Sequence, residues 1–600
     1  MSRRATSGWA AAVAVIGLGA LTGCLPAANS ADDTPQCATT ADCNATAGEV
    51  CDVGVCWGDP PAGRFAAVVA PPAGQRGTLV KTAIPDVTIT ADGTLGGNGD
   101  QALSLDPAVT VAGVVTIPCP AGVAACAGAL PLAGQLRFTR PAAFPGGPRL
   151  SESAEVAADG SYQVALARPR VGVTDTYAVT FTPSSTPLGP NQPSPAMLLA
   201  PVAVDLELTR DDMPPGGDPV VRDLAFDPAS QKVMTGQIVR ALPDSPVAGW
   251  QVVAEVLATS GLGARQVVST TAITDDAGAF ALRLPNGPAL VDVLVSPPPS
   301  ASADHRPSVR VRDVVVGDSI GAIDVPVLGV PEQVSIEVRG TDTAGATIAV
   351  DGATVVVRLE HALGGGRALS LETRTTTVNG TASLTLFPVW AGNSLPYSID
   401  VLPAPGSDLA ARYDTAVTFD GSALTIALPR RIPVVGRVVD FRGLPVIGAS
   451  VTAAVATATL CTLSSDDSRI ALAMAPAQVT TDTKGEFTVF VDGDLAGTRL
   501  TYDVTVRPSD GDPHPTWMFP SIAPAADTRA ELTLPDAAWT RGLVLGASQG
   551  PVAGASVSIY ELLDEAPTCV SSLGGPGLAV VRGRGEADEL GTAVVVLPRP

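Results

Sequence analysis

Short stretches in which apolar and polar residues alternate follow one another along most of the chain, separated by turns rich in Gly, Pro, Asp and Asn. Phe487, Val489 and Val491 show the pattern, because every second residue of a strand points to the same face. The 61 Gly and 54 Pro among 600 residues disfavour helices and suit short strands joined by turns. The pattern predicts an all-β protein with almost no helix after residue 23.

Three motifs recur in a fixed order. The first is a strand followed by a turn of the form Pro-Val-x-Gly-Ala or a looser version of it. Its glycines lie roughly 100 residues apart, at Gly134, Gly249, Gly352, Gly448 and Gly554. The second motif is an Asp or Asn turn with glycine, as at 482–486, and the third is a strand ending in proline, as at 502–508. Units of about 100 residues with many short strands are typical of β-sandwiches.

The copy at 433–508, which contains Pro445-Val446-Ile447-Gly448-Ala449, resembles the carboxypeptidase regulatory-like domain, a seven-stranded transthyretin-like sandwich. The resemblance implies structural modules without catalytic residues. We therefore predict tandem Ig-like or transthyretin-like β-sandwiches after a signal segment and a small disulfide-rich module. The predicted sandwiches are 109–208, 209–330, 331–432, 433–535 and an incomplete fifth at 536–600.

The ends of the repeat array are irregular. The fifth copy lacks its last two strands, and residues 61–108 contain strand-like runs that belong to no full repeat. An unfinished sandwich leaves an exposed strand edge that is open to pairing. Two alternatives follow: the open end accepts a strand from a partner chain, or the fifth domain is short but closed.

The first 23 residues are predicted to be a signal peptide, because the apolar run 9–21 is shorter than the 20 or so residues that span a bilayer. Leu21-Thr22-Gly23-Cys24 resembles the lipobox of bacterial lipoproteins, which implies that Cys24 is lipidated and begins the mature protein. The alternative is an ordinary secretory signal. Leu25, where an aspartate often retains lipoproteins at the inner membrane, favours the cell outer membrane. Whether the protein faces the surface or the periplasm stays open.

Eight further cysteines are candidates for disulfides in an oxidising compartment. Cys37, Cys43, Cys51 and Cys56 lie within 24–60 and predict two disulfides with three possible pairings. This segment resembles short cysteine-rich modules of secreted myxobacterial proteins; a zinc site is the alternative, although the spacings form no paired C-x-x-C. Cys119 and Cys126 close a small loop. Cys461 and Cys569 occupy equivalent places in neighbouring repeats, and a bridge between them is favoured over separate thiols.

Charge and candidate chemistry argue against several functions. The net charge of −22 disfavours nucleic acid as a partner. Gly317-Asp318-Ser319-Ile320-Gly321 matches the hydrolase pattern G-x-S-x-G, but the next residues predict a strand rather than the required helix. We therefore assign no catalytic residue. Three acidic clusters offer oxygen ligands without an Asp-x-Asp-x-Asp-Gly loop, so we assign no metal ligand or cofactor and keep structural calcium as the weaker alternative. They are Asp211-Asp212, Asp466-Asp467 and Asp510-Gly511-Asp512.

The sequence thus favours a non-catalytic envelope lipoprotein, a structural or adhesion rod held to the membrane by its lipid anchor. Five sandwiches in an open series would span about 150–200 Å. The alternative is a glycan-binding or nutrient-capture surface lipoprotein, which needs exposed aromatic side chains. Four tryptophans are candidates for sugar stacking, although core or junction packing is favoured for them: Trp250, Trp390, Trp517 and Trp539. The expected partners beyond the membrane are an envelope protein or a glycan.

Overall fold

The computed structural model describes residues 37–599 with gaps, and the structural statements below concern the described residues. The gaps longer than two residues are 44–49, 58–62, 121–125, 213–216, 258–264, 297–308, 326–331, 419–422, 464–470 and 564–578. Strands dominate, as the sequence predicted. The two α-helices, α1 (Pro195–Leu198) and α2 (Thr457–Leu460), are single turns, and the 3-10 turns are Thr40–Asp42, Ala73–Gln75, Arg210–Asp212 and Pro228–Ser230. No helix in the described part of the chain is long and apolar enough to cross a membrane.

The N-terminal part of the chain forms six strands before the first complete sandwich. They are β1 (Val50–Asp52), β2 (Val55–Trp57), β3 (Arg64–Ala70), β4 (Thr82–Ile89), β5 (Thr94–Gly97) and β6 (Leu103–Ser104). The first two belong to the cysteine-rich module. The other four form the lead-in segment.

Sandwich 1 contains nine strands around one apolar core. They are β7 (Ala108–Pro118), β8 (Ala129–Pro131), β9 (Gly134–Thr139), β10 (Ser151–Val156), β11 (Ser161–Ala167), β12 (Asp175–Pro183), β13 (Val202–Leu208), β14 (Val220–Val221) and β15 (Leu224–Ala225). The last two strands lie beyond the boundary at 208 that the sequence suggested. Strands of two residues are too short to show alternation, so the sequence pattern did not reveal them.

Sandwiches 2 and 3 follow. Sandwich 2 contains β16 (Lys232–Ala241), β17 (Asp244–Pro246), β18 (Gln251–Leu257), β19 (Arg265–Val267), β20 (Ala272–Ile273), β21 (Ala279–Leu284), β22 (Leu290–Ser296), β23 (Val309–Val315) and β24 (Ser319–Val325). Sandwich 3 contains β25 (Glu332–Thr341), β26 (Thr347–Ala349), β27 (Thr354–Gly364), β28 (Arg367–Thr376), β29 (Thr381–Leu386), β30 (Val389–Trp390), β31 (Asn393–Ser394), β32 (Pro396–Leu402), β33 (Arg412–Thr418) and β34 (Leu424–Ala427).

Sandwich 4 and four final strands complete the chain. Sandwich 4 contains β35 (Ile432–Val439), β36 (Ser450–Val455), β37 (Ala477–Thr480), β38 (Glu486–Val491), β39 (Asp494–Leu495), β40 (Thr498–Arg499), β41 (Tyr502–Arg507), β42 (Trp517–Ile522) and β43 (Ala525–Thr533). The final strands are β44 (Ala537–Leu545), β45 (Ser556–Leu562), β46 (Ala579–Glu586) and β47 (Thr592–Pro598).

The acidic turns of the second motif have a common geometry. In sandwich 4, Asp482 Oδ1 accepts hydrogen bonds from the backbone N–H groups of Lys484 and Glu486, both at 2.8 Å. Gly485 has φ +72°, and a Cβ there would approach Val438 O to 2.4 Å. The turn therefore requires glycine. After it, Phe487, Val489 and Val491 are all buried on one face, as the alternation predicted.

The four complete sandwiches have the same strand order in their two sheets. In sandwich 4, one sheet places β35 between antiparallel β38 and parallel β43, and the other has the order β37-β36-β41-β42. A parallel closing strand also lies beside the first strand of the other three: β14 and β15 beside β7, β24 beside β16, and β34 beside β25. A sandwich of this type needs that closing strand to finish the sheet that contains its first strand.

The final four strands obtain their missing partners from the beginning of the chain. Strands β5 and β6 pair in parallel with β44, and β3 pairs with β45 along seven residue pairs from Arg64–Leu562 to Ala70–Ser556. The strand order β46-β45-β3-β4 matches that of the second sheet of sandwich 4. Here β4 also pairs with β5, so these strands, β44, β47, β6 and the module strands β1 and β2 belong to one continuous ten-stranded sheet. We call the unit formed by residues 63–105 and 537–599 the composite sandwich.

This arrangement corrects two expectations about the chain ends. The lead-in segment is not separate from the repeats, and the edge left by the fifth copy is covered by this chain's own N-terminal strands. Because the first and last strands belong to one domain, the five sandwiches form a closed circuit. The span of 150–200 Å expected for an open series does not apply.

Candidate anchoring site at the meeting of the chain ends

The cysteine-rich module is held by two disulfides. Cys37 bonds to Cys51 and Cys43 bonds to Cys56, with Cα–Cα distances of 5.9 and 5.6 Å. Strands β1 and β2 form an antiparallel hairpin in which Cys51 lies opposite Cys56. Three of the sulfur atoms lie within 4.8 Å of one another. They are consumed in disulfides, so they offer no thiolate to zinc.

Trp57 joins this module to the composite sandwich. Its backbone pairs in parallel with that of Trp539 in β44. The two indole rings meet edge to face with centroids 5.7 Å apart, and the Arg541 guanidinium lies 5.2 Å from the centre of the Trp57 ring. Trp57 is only 2% exposed. The side chain therefore fixes the module against the first part of β44.

The core of the composite sandwich combines both chain ends. Phe65, Ala67 and Val69 from β3 are buried in the same apolar cluster as Val557 and Ile559 from β45. Ala67 and Ile559, which lie opposite each other, are both fully buried. Residues 65–105 and residues 544–597 contribute equally to this cluster, so the two parts stabilise each other.

Sandwich 1 packs against the composite sandwich through a loop. Phe144 is buried with Ala66 and Val68 from β3, and its ring centroid lies 5.5 Å from that of Tyr560 in β45. Burial raises the pKa of the Tyr560 hydroxyl. Burial also raises the pKa of Glu152 in β10, an effect that Lys81 and Arg76 of the lead-in segment oppose.

Sandwich 4 also packs against the composite sandwich. The Arg582 guanidinium of β46 lies 4.3 Å from the centre of the Trp517 ring of β42, and Arg582 Nε lies 2.6 Å from Glu561 Oε2. Three residues separate β43 from β44, and Arg599 Nη1 bonds to Asp536 Oδ2 in that link at 2.9 Å. The composite sandwich is thus packed against both of its neighbours in the chain.

The remaining junctions of the circuit are also closed by contacts. Between sandwiches 1 and 2, Thr271 N donates to Ala196 O at 2.8 Å. Sandwiches 2 and 3 share one sheet because β23 pairs with β28, and Arg310 and Glu255 form a nearly buried ion pair beside this pairing at 3.1 Å. Between sandwiches 3 and 4, Arg431 Nε binds Asp492 Oδ1 at 3.0 Å. Burial raises the pKa of Asp492, although Arg431 opposes the effect.

The other cysteine predictions have mixed outcomes. Cys119 and Cys126 form a disulfide, as their spacing suggested. Cys461 is disulfide-bonded as well, and its partner is not among the described residues. Cys24 and Cys569 both lie outside the described residues. Lipidation of Cys24 and the bridge from Cys461 to Cys569 therefore stay predictions.

The hydrolase-like pattern does not form a nucleophile elbow. Ser319 begins β24, which pairs in parallel with β16, and its Oγ accepts a hydrogen bond from Gly321 N at 3.2 Å. A strand rather than a helix follows the serine, as the sequence predicted. A hydrolase of this class needs the helix to position the nucleophile.

Two described residues of the acidic clusters, Asp212 and Asp512, contact protein groups. Asp212 accepts bonds from Thr209 N at 2.7 Å and from the Thr209 hydroxyl, and it pairs with Arg222. The bond from Thr209 N is the main reason that the pKa of Asp212 is lowered. Asp512 contacts the His514 ring. Asp466, Asp467 and Asp510 lie outside the described residues.

Three of the four candidate tryptophans lie in cores or junctions. Trp250 is 4% exposed in the core of sandwich 2. Trp539 meets Trp57, and Trp517 lies under Arg582. Trp390 belongs to β30, and its side chain is outside the described part. The packing that the sequence favoured is present at the first three.

Comparisons with known proteins give little further information. No protein-family model matches the chain, and no curated protein matches it. Similar solved structures include a streptococcal ancillary pilin, with 13% sequence identity over 54% of this chain and 99% of that chain and a TM-score of 0.17. The shaft pilin SpaA from Lactobacillus rhamnosus GG has 12% identity over 34% of this chain and 97% of its own, with a TM-score of 0.20.

Two B repeat units of the collagen-binding protein of Staphylococcus aureus show 10% identity over 71% of this chain and 99% of theirs, with a TM-score of 0.13. Similarities at this level carry no argument about function or about how the domains are arranged. The resemblance of 433–508 to the carboxypeptidase regulatory-like domain is likewise supported by no family match.

Proposed function

We propose that the chain is a non-catalytic envelope lipoprotein, a structural or adhesion protein held to the outer membrane through lipidated Cys24. The observation that carries the proposal is the docking of the disulfide module on the composite sandwich by Trp57. The module begins 13 positions after Cys24. A lipid on Cys24 would therefore hold the module, and with it the composite sandwich, near the membrane.

Closure of the circuit suits a structural role. In an open series, the C-terminal sandwich would be farthest from the anchor. In the circuit, the composite sandwich carries the anchor, and sandwiches 2 and 3 are the most distant domains along the chain in both directions. We therefore propose that sandwiches 2 and 3, which share one sheet, present the outward-facing part of the protein.

A glycan-binding or nutrient-capture role is the alternative. It requires exposed aromatic platforms, and Trp250, Trp517 and Trp539 are engaged in packing. No observation on the described residues favours the alternative over the structural role.

Protease treatment of intact cells tests the location. Release of fragments from the repeats by protease added to whole cells would support a surface protein that makes contact with other surfaces. Full protection until the outer membrane is broken would make it a periplasmic spacer and exclude the adhesion role. Cys24→Ser tests the anchor, because the variant should leave the membrane fraction if lipidation holds it there.

A further inference from the structure

One loop of sandwich 4 exposes three large apolar side chains within seven residues. Phe441 is 44% exposed, Leu444 58% and Ile447 50%. We call residues 441–447 the apolar tip. Exposed apolar residues are common one at a time, whereas a cluster on one loop points to a binding surface.

The apolar tip is held in place by the fold. Asp440 Oδ1 accepts hydrogen bonds from Arg442 N at 2.9 Å and from Leu444 N at 2.7 Å, and Val446 is buried beneath the loop. The Val446 carbonyl accepts a hydrogen bond from the Thr481 hydroxyl at 2.8 Å. The three side chains are therefore presented outward by an ordered turn. The corresponding turn of the composite sandwich, aligned on the bridges Val439–Pro445 and Leu545–Pro551, has the small residues Ala547, Gly550 and Ala553 in the three places.

The tip lies at the end of sandwich 4 that adjoins the composite sandwich. It follows β35, and Leu534 N donates to Val439 O at 2.8 Å, so β43 ends beside the start of the tip. Trp539, to which Trp57 of the module pairs, comes five positions after Leu534. Five residues span at most about 18 Å. The disulfide module therefore lies near this end of sandwich 4.

The length of chain before the module allows the membrane to reach the tip. The 13 residue steps between Cys24 and Cys37 span at most about 45 Å when fully extended. A bilayer that holds Cys24 is therefore never farther than that from the module. The module connects Cys24 to this end of sandwich 4 over a short length of chain. We therefore assign the membrane, rather than another protein or a second copy of this chain, as the partner of the tip.

The charges around the tip fit a lipid surface. Arg442 lies within the tip, with its guanidinium 4.8 Å from the centre of the Phe441 ring. Arg437 and Lys484 lie beside it, and Arg437 Nε donates to Lys484 O at 3.0 Å. Lys484 is one of only three lysines in a chain of net charge −22. Apolar side chains next to cations are the usual composition of segments that insert into the headgroup region.

We propose that the apolar tip docks into the phospholipid bilayer that carries the lipid anchor, as a second and reversible point of membrane contact. The inference rests on the proposed lipidation of Cys24. Docking at two points would fix the orientation of the circuit relative to the membrane, whereas attachment at one point would leave it free to rotate.

The test uses full-length protein, produced with its N-terminal segment so that Cys24 can be lipidated, and reconstituted into phosphatidylcholine vesicles whose acyl chains carry bromine, which quenches nearby tryptophan. We expect the added fluorescence of Phe441→Trp to be quenched. Leu590→Trp is the matched control, because Leu590 is 69% exposed on the turn at the opposite end of β44, where Gly591 O accepts from Val544 N. Its added fluorescence should not be quenched.

The outcomes separate the two proposals. If the unaltered protein fails to float with vesicles, the anchor and the docking are both overturned. If it floats and Phe441→Trp is not quenched, the anchor stands and the docking is wrong. The combined variant F441S/L444S/I447S gives a second readout in detergent. If it loses self-association that the unaltered protein shows, the tip is a contact between copies, which also overturns membrane docking.

Discussion

Ala67 and Ile559 lie opposite each other on neighbouring antiparallel strands, although they come from opposite ends of the chain. Both side chains are fully buried in one core. The domain at the C-terminus therefore depends on residues that are synthesised first. Its folding requires both 63–105 and 537–599, since strands β44–β47 lack a closing strand without β5 and β6.

The first prediction concerns this mutual dependence. Ile559→Ala should destabilise the composite sandwich by about 2–5 kcal/mol, because it leaves a cavity in a fully buried site. Hydrogen exchange should rise together in peptides from 64–104 and from 537–598. Val378→Ala, at a side chain that is 69% exposed in sandwich 3, is the control and should change little. Faster exchange confined to the C-terminal peptides would contradict the composite domain.

The second prediction concerns closure of the circuit. A protease site inserted between Ala229 and Ser230, in the link between sandwiches 1 and 2, allows the chain to be cut once. The two fragments should remain together in gel filtration, because the composite sandwich still joins them. Combining the cut with Val69→Asp, which buries a charge in that core, should release them. Separation after the cut alone would show that the ends do not hold together in solution.

The third prediction concerns the attachment of the module. Trp57→Ala removes a buried ring worth about 3–5 kcal/mol of packing. The two disulfides keep the module itself folded, so the loss should fall on its docking and not on its internal structure. Limited proteolysis should then cut faster in 58–63, between the module and β3. Trp57→Phe, which retains an aromatic ring opposite Trp539, should be cleaved at nearly the same rate as the unaltered protein. If Trp57→Ala and Trp57→Phe are cleaved equally fast, packing of the ring does not hold the module in place.

The fourth prediction concerns the partner of Cys461. Cys461 is disulfide-bonded, and the other six described cysteines pair among themselves, which leaves Cys24 and Cys569. Lipidation would use Cys24. We therefore expect peptide mapping without reductant to find Cys461 linked to Cys569, which would tie sandwich 4 to the composite sandwich. A peptide linking Cys461 to Cys24 would instead exclude lipidation.

The fifth prediction concerns pH. Burial acts to lower the pKa of His514. The contact of its ring with Asp512 and the nearby carboxylate of Asp440 have the opposite effect and are stronger together, so the pKa of His514 is raised above the ordinary value of 6.5. The folded state therefore binds the proton more tightly than the unfolded state. Its stabilising effect is complete below pH 6.5 and is lost as the pH rises through the folded pKa.

The melting temperature of sandwich 4 should accordingly fall over that range. His514→Gln should reduce the slope of melting temperature against pH. An unchanged slope in this variant would assign the pH dependence to other groups.

Much of the local structure could be predicted from the sequence. The turn at Asp482 and the buried face of Phe487, Val489 and Val491 follow from glycine chemistry and alternation, which act over a few residues. The disulfides within 37–56 were also predicted, from the oxidising compartment expected for an exported protein and from the close spacing of the four cysteines. The sequence left their pairing open. The tertiary structure decided the pairing: Cys51 and Cys56 lie opposite each other in the β1–β2 hairpin, and each bonds to a different earlier cysteine.

The composite sandwich was not predicted, even though a signal was present. Strand β3 (Arg64–Ala70) is followed directly by Pro71-Pro72, which is the third motif of the repeat, and it occurs before the first copy instead of within the fifth. Alternation identifies a strand and its buried face, but it does not identify the neighbouring strand. The apolar tip was missed for a related reason, since exposure of Phe441 depends on what packs around it.

The sequence by itself determined that this protein consists of repeated β-sandwiches, where their turns lie and which residues face the cores, because these properties depend on periodicity and on local backbone chemistry. The tertiary structure alone decided that the array closes on itself. Pairing between β3 and β45 is a contact between distant parts of the chain. It forms because two incomplete sandwiches each expose apolar faces and strand edges that only the other can cover.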